Sequence, residues 1–332
     1  MTAESVTEAV TQAAADIDVD ALVEKYGQMK VPALTMVMTA AVVVFLVVLI
    51  VLGFIYVSRH YVNFSNGIYA GILAELIFGY VAYGALNFAF QKIGPVDQFL
   101  KAHQQLGDCL LILVAVILEC LAVFLGMKYL LRMNGKRHLE TNIGHVVTFG
   151  LSTYAAAILV SQQLTYAIEY IMVSNTMNSL GMEVAVYQML INGASEGEAD
   201  ATVRGMVESS WLKFLWDGFT YVLRAVVVTS SAVLVYGTER RGLDRKKWLP
   251  IAVLMIAAYY IPTFLNTITE VHAAVLIVLT LLITAACAFI ALRTVYKEMP
   301  SDWEDLRRKP VKKPKKKDSD KDKKMPKIVM PD

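Results

Sequence analysis

The stretch "LLILVAVILECLAVFLGMKYLLRM", residues 110–133, is almost wholly apolar, with one carboxylate, Glu119, near its middle. A helix of about 20 apolar residues rises far enough to cross the roughly 30 Å hydrocarbon core of a bilayer. A carboxylate at that depth is costly, and such groups face the interior of a helix bundle and pair with another polar group. This one stretch predicts a membrane-crossing helix and demands a partner for Glu119.

The rest of the chain agrees with the first conclusion. Of its 332 residues 56% are hydrophobic and 18% charged, and the mean hydropathy is +0.51. Water-soluble domains carry about 45–50% apolar and about 25% charged residues. Further apolar runs at 32–57, 67–90, 143–171, 211–236, 248–268 and 271–295 accompany that of 108–131. The expected fold is all-α, a polytopic membrane bundle of about seven transmembrane helices. Cys109, Cys120 and Cys287 all fall in apolar runs and read as buried thiols.

Three regions follow. Residues 1–30 form an acidic, weakly amphipathic lead-in, with a short helix at "DALVEKYG" capped by Asp20 and stopped by Gly27. It has no basic segment followed by a short apolar one, so the first span is expected to serve as the targeting signal. Residues 31–297 make the bundle. Residues 298–332 form a low-complexity tail expected to be disordered. From 301 onward the chain carries 12 basic and 7 acidic side chains, a surplus of five positive charges. The tail reads as cytoplasmic and drawn to anionic lipid headgroups; without interleaved aromatics it does not read as a nucleic-acid binder.

Orientation comes from basic residues near the span ends. Arg132, Lys136 and Arg137, then Arg240, Arg241, Arg245, Lys246 and Lys247, then Arg293 and Lys297 fall on connections two spans apart. The connection 172–210 instead carries Glu183, Glu196, Glu198, Asp200 and Glu208 against Arg204. The expected arrangement has the N-terminus and 172–210 outside and the C-terminus inside, in the plasma membrane of a bacterium. Within that connection "EVAVYQMLING" has helical spacing.

Glu75, Glu119, Asp217 and Arg224 fall inside the spans. In "WLKFLWDGFTYVLRAVVVTSSAVLVY" Asp217, Tyr221 and Arg224 are spaced four and three apart and share one helix face. Arg224 and Glu119 lie at similar depth, so an ion pair between them is expected, with Glu75, Asp217 and Tyr221 completing an intramembrane polar cluster. The pair is either a structural device that fixes helix register or part of a polar pocket. The five histidines are scattered, without the paired spacing of a metal site, so no metal and no other cofactor is expected.

"NGIYAGILAELIFGYVAYGAL" (66–86), "LECLAVFLGMKYLLRM" (118–133), "HVVTFGLSTYAAAIL" (145–159) and "SSAVLVY" (230–236), taken in order, resemble the YhfC-type intramembrane metalloproteases, relatives of the CAAX-protease-like membrane proteins. The resemblance covers about 65–270. It implies an all-helical fold and water activated by a metal or a glutamate. Glu119 matches the first glutamate of the family's glutamate pair, but Cys120 replaces the second and Val123 the following arginine. Gly150 and Leu151 match the family's Gly-Leu-Gly-His stretch, whereas Ser152, Thr153 and Ala157 replace its Gly, His and Glu. Later histidines are missing. What the resemblance implies is therefore a non-catalytic relative that binds or regulates another membrane protein. Two other readings stay open: a residual peptidase using Glu119 as base, and a transporter or channel subunit, for which Pro262 and Gly150 are the hints.

Overall fold

A computed structural model describes residues 18–61, 64–160, 162–269 and 271–307. The N-terminal residues 1–17 and the basic tail from 308 onward lie outside the described residues. Every regular element among the described residues is helical. In chain order these are α1 (Val19–Tyr26), α2 (Ala33–His60), α3 (Ser65–Lys92), α4 (Gly94–Ala102), α5 (Gln104–Lys136), α6 (Ile143–Val160) and α7 (Gln162–Leu180). They continue as α8 (Met182–Ile191), α9 (Glu196–Val207), α10 (Trp211–Arg240), α11 (Arg245–Tyr259), α12 (Ile261–Ile268), α13 (Ala273–Glu298) and α14 (Pro300–Leu306).

The chain is a helical membrane protein: α2, α3, α5, α10 and α13 are each long and apolar enough to cross a bilayer. The pair α11 and α12, bent by 42°, makes a sixth if it counts as one span. The count is thus five or six among the described residues, against the expected seven. The difference lies in 143–171. Around residue 161, which lies outside the described residues, that run is described as α6, 18 residues long, and α7, neither of which is among the helices long and apolar enough to cross a bilayer. Gln162, Gln163 and Glu169 lower the hydropathy of its second half.

Although short, α6 is the hub of the bundle. Val146, Phe149 and Ile158 are fully buried against its neighbours. Its contact with α3 is unusually close because "NGIYAG" places Gly67 and Gly71 one turn apart. A Cβ on Gly67 would lie 2.5 Å from the His145 carbonyl oxygen, and one on Gly71 2.4 Å from that of Phe149. Small residues at this spacing let two helix backbones touch, the main source of helix association where apolar burial gives no drive. Gly150 does the same toward α10, where a Cβ would meet Thr229. The buried hydroxyls of Thr148, Ser152 and Thr153 donate to the carbonyls of Gly144, Thr148 and Gly150 within α6, so α6 buries them without orphaned donors.

The two ends of the bundle are held differently. At one end, α1 docks on the segment 172–210, which is built from the end of α7 with α8 and α9. The Tyr26 hydroxyl donates to Asp200 at 2.9 Å, and the Asn178 amide pairs with both backbone groups of Val31 at 2.9 Å. The cap of α1 is Asp18 rather than the expected Asp20, since the Asp18 carboxylate accepts from the Ala21 backbone; Gly27 ends the helix as expected. "EVAVYQMLING" falls within and just after α8. At the opposite end, fully buried Asp302 of α14 accepts from Arg241 Nε at 2.7 Å and Nη2 at 3.0 Å, and from the Tyr236 hydroxyl at 3.1 Å. Asn66, Asn134, Thr141 and Arg137 form a second hydrogen-bonded chain at that end. The basic connections gather there, and the acidic segment gathers at the end that holds α1.

Candidate functional site

Two irregularities bring the intramembrane charges together. The first is a π-helical segment, Glu75–Ala82, inside α3. Such widened turns re-aim side chains and occur often at functional sites. Here Gly79 leaves room for the Glu75 carboxylate to fold back over the helix, since a Cβ on Gly79 would come within 2.7 Å of Glu75 Oε1. The second is the break between α11 and α12 at Tyr260. Pro262 lacks an N–H and its ring clashes with the carbonyl four residues earlier, so the helix cannot run straight through.

Arg224 of α10 sits between these irregularities and α5. Its Nε donates to Glu119 Oε1 at 2.8 Å, while Nη1 and Nη2 donate to Glu75 Oε1 and Oε2 at 2.8 and 3.1 Å. The Tyr260 hydroxyl donates to Glu119 Oε2. Tyr259, edge-on to Tyr260, donates to the Thr220 carbonyl at 2.8 Å. Glu119 is 5% exposed and Glu75 9%. One guanidinium thus holds two buried carboxylates, one of them in the planar two-bond geometry that arginine favours.

The sequence pointed to Glu119 and Arg224 as partners, and the structure joins them. Glu75 enters as the second partner of Arg224. Asp217 and Tyr221 lie on the same face of α10 but line the wall above the network; the fourth member is Tyr260, which the sequence reading did not single out. Its only advance signal was an aromatic pair immediately before a helix-breaking proline, in "YYIP".

The network forms the base of a cavity of about 1350 Å³ walled by α3, α5, α6, α7, α10, the α11–α12 break and α13. Leading away from the base, α10 contributes Arg224, Tyr221, Asp217 and Trp216. Glu169 and Tyr166 of α7 and Asn266 of α12 are exposed at the far end. The cavity therefore deepens from the end of the bundle that carries α1, α8 and α9 and closes on buried charges.

Among the described residues no group of three His, Cys, Asp or Glu side chains is placed to hold a metal ion. His145 is buried at the basic end of α6, with Nδ1 2.8 Å from Asn142 Oδ1. The chain matches no family model, no characterised protein and no solved structure.

Proposed function

We propose that this chain is a non-hydrolytic membrane protein that keeps the helical frame of the YhfC-type proteases and uses its central cavity to bind rather than to cut. The observation that carries this reading is the Glu75–Arg224–Glu119–Tyr260 network at the cavity base. A general base needs a lone pair turned toward the water it deprotonates. Arg224 and Tyr260 already donate to the two oxygens of Glu119. Metal-assisted attack would need ligands that hold the ion with a position left open, and His or carboxylate groups converging in that way are not found among the described residues.

A transporter or channel role is favoured by a specific observation over that of a static scaffold. The π segment and the Pro262 break both face the cavity; Glu75 ties the first to Arg224 of α10, and Tyr259 ties the second to the Thr220 carbonyl of α10 while Tyr260 ties it to Glu119 of α5. Interrupted helices that converge on a mid-bundle site are a feature of many transporters. In this reading the cavity mouth faces outside, the basic connections face the cytoplasm, and the tail meets anionic lipid headgroups there.

The test is water access. With Cys109, Cys120 and Cys287 replaced by Ala, Thr220→Cys on the cavity wall and Asn266→Cys at its rim are exposed to a small neutral thiosulfonate. Both are expected to react. Reaction at the rim with none at Thr220→Cys would mean the cavity is closed to water and would sink the binding reading. Cleavage of a co-reconstituted membrane peptide that stops in Glu119→Gln would replace it with the peptidase reading.

A further inference from the structure

We propose that a second, lateral groove between α2 and α13 holds one acyl chain of an anionic phospholipid, with the lipid headgroup at the basic end of the bundle. Among the described residues α2 and α13 both pack on α10 without packing closely on each other, and α6 and α10 floor the gap between them. The groove has a volume of about 440 Å³ and shares no lining residue with the cavity that ends on Arg224. None of its lining residues is charged. Its hydroxyls are already committed: Thr229 and Ser230 donate to the carbonyls of Ala225 and Val226 at 2.7 Å, and Tyr154 donates to that of Leu46 at 3.4 Å. The groove therefore offers a ligand apolar contact and little else. Water finds too few hydrogen bonds in such a site, and an empty groove forfeits the dispersion contacts of its lining. Leu292 on its rim is 52% exposed on a helix long and apolar enough to cross a bilayer, so the groove opens toward hydrocarbon.

Length and charge identify the occupant. On α6 the lining runs from Ile143 to Tyr154, and on α10 from Val222 to Val233. Each stretch rises about 16 Å, close to half of the roughly 30 Å hydrocarbon core. The groove is thus one leaflet deep, which suits a lipid chain better than a helix of a second copy crossing the whole bilayer. Its end at Ile143, Val295 and Leu306 is the basic end of the bundle. Leu306 of α14 lines that end, and Arg307 follows it, exposed. From Arg307 to Lys317 the sequence carries eight basic side chains and no acidic one, which outweighs Glu304 and Asp305 just before them. Asp302 of the same helix is already held by Arg241. A cluster of Lys and Arg immediately beyond a membrane helix attracts anionic lipid, at about 1 kcal/mol for each basic residue near the surface. A groove of one-leaflet depth that begins where this run begins is placed to take the chain of a lipid whose headgroup the run attracts.

The experiment uses the full chain, stripped of lipid in detergent and then supplied with phosphatidylglycerol or phosphatidylcholine carrying the same acyl chains. Native mass spectrometry counts the lipids retained, and thermal unfolding in lipid-free detergent shows which variants fold. One phosphatidylglycerol is expected to be retained per chain, in preference to phosphatidylcholine. Ala288→Phe and Leu292→Trp add bulk to the groove wall and should lower the retained fraction on the order of tenfold. Val278→Phe, also on α13 and 54% exposed but outside the groove, should leave it unchanged. Replacing the eight basic residues from Arg307 to Lys317 by Gln should erase the preference for phosphatidylglycerol. Leu292→Trp, at an exposed position, keeps the test open if Ala288→Phe fails to fold. Retention that survives a folded groove variant, or equal retention of the two lipids by the unaltered chain, would overturn the proposal. So would a lipid-free dimer that Leu292→Trp dissociates, since a second copy would then fill the groove.

Discussion

Removing Arg224 should damage the fold more than removing either carboxylate it holds. The guanidinium makes three hydrogen bonds of 2.8, 2.8 and 3.1 Å to two buried groups. Arg224→Met leaves Glu75 and Glu119 facing each other without a counter-charge, and breaking a buried ion pair in this way costs about 3–5 kcal/mol. Glu119→Gln removes one charge but leaves Arg224 in its two-bond contact with Glu75. It forfeits one charge-assisted bond, about 1.5–3 kcal/mol. The two variants should therefore differ by roughly 2 kcal/mol, which is about 4–8 °C of unfolding temperature at roughly 2–4 °C per kcal/mol for a large domain. The double variant Glu119→Gln with Arg224→Met removes one of the stranded carboxylates, so its loss should fall short of the summed losses by about 1–3 kcal/mol. Thermal unfolding of the four proteins in detergent measures all of this. Arg224→Met costing no more than Glu119→Gln, or strict additivity in the double variant, would show that the network does not share its charge as described.

Two further predictions concern the frame. Gly71→Ala should destabilise by about 1–3 kcal/mol through overpacking, because its Cβ would meet a backbone carbonyl of α6 that cannot swing aside; Gly135→Ala, with nothing within 4 Å, should be neutral or slightly stabilising, and equal unfolding temperatures for the two would refute the close α3–α6 contact. The docking of α1 should be acid-sensitive. The Tyr26 hydroxyl first, then the Lys25 ammonium, hold the Asp200 carboxyl below its ordinary value of 3.8. A carboxyl with a depressed folded value binds protons more readily in the unfolded chain, so its contribution is fully present above about pH 4 and is lost as pH falls through the folded value. The stability difference between the natural chain and Asp200→Asn should shrink as pH is lowered below about 4, and a difference unchanged down to about pH 2 would argue against the contact.

The membrane class and most of the spans were legible in the sequence because both are properties of local hydropathy. Twenty apolar residues in a row demand a helix in lipid, whatever they pack against. The partnership of Glu119 with Arg224 was legible for a related reason: two costly charges at similar depth have few ways to be accommodated. The GxxxG spacing of Gly67 and Gly71 was present in the sequence, yet which helix it admits depends on the fold. Other features were decided only by tertiary structure. That the first half of 143–171 packs as α6 against α3 and α10 is information that a hydropathy window does not hold. Glu75 reaches Arg224 only because the π segment turns it there. Tyr260 reaches Glu119 because Pro262 breaks the helix that carries it. Neither geometry is written in residue spacing, since both depend on where α3 and α12 are pressed against α5 and α10. The sequence alone determined that buried charges needed partners; packing decided that one arginine would serve two carboxylates, and that an open cavity would lie above them.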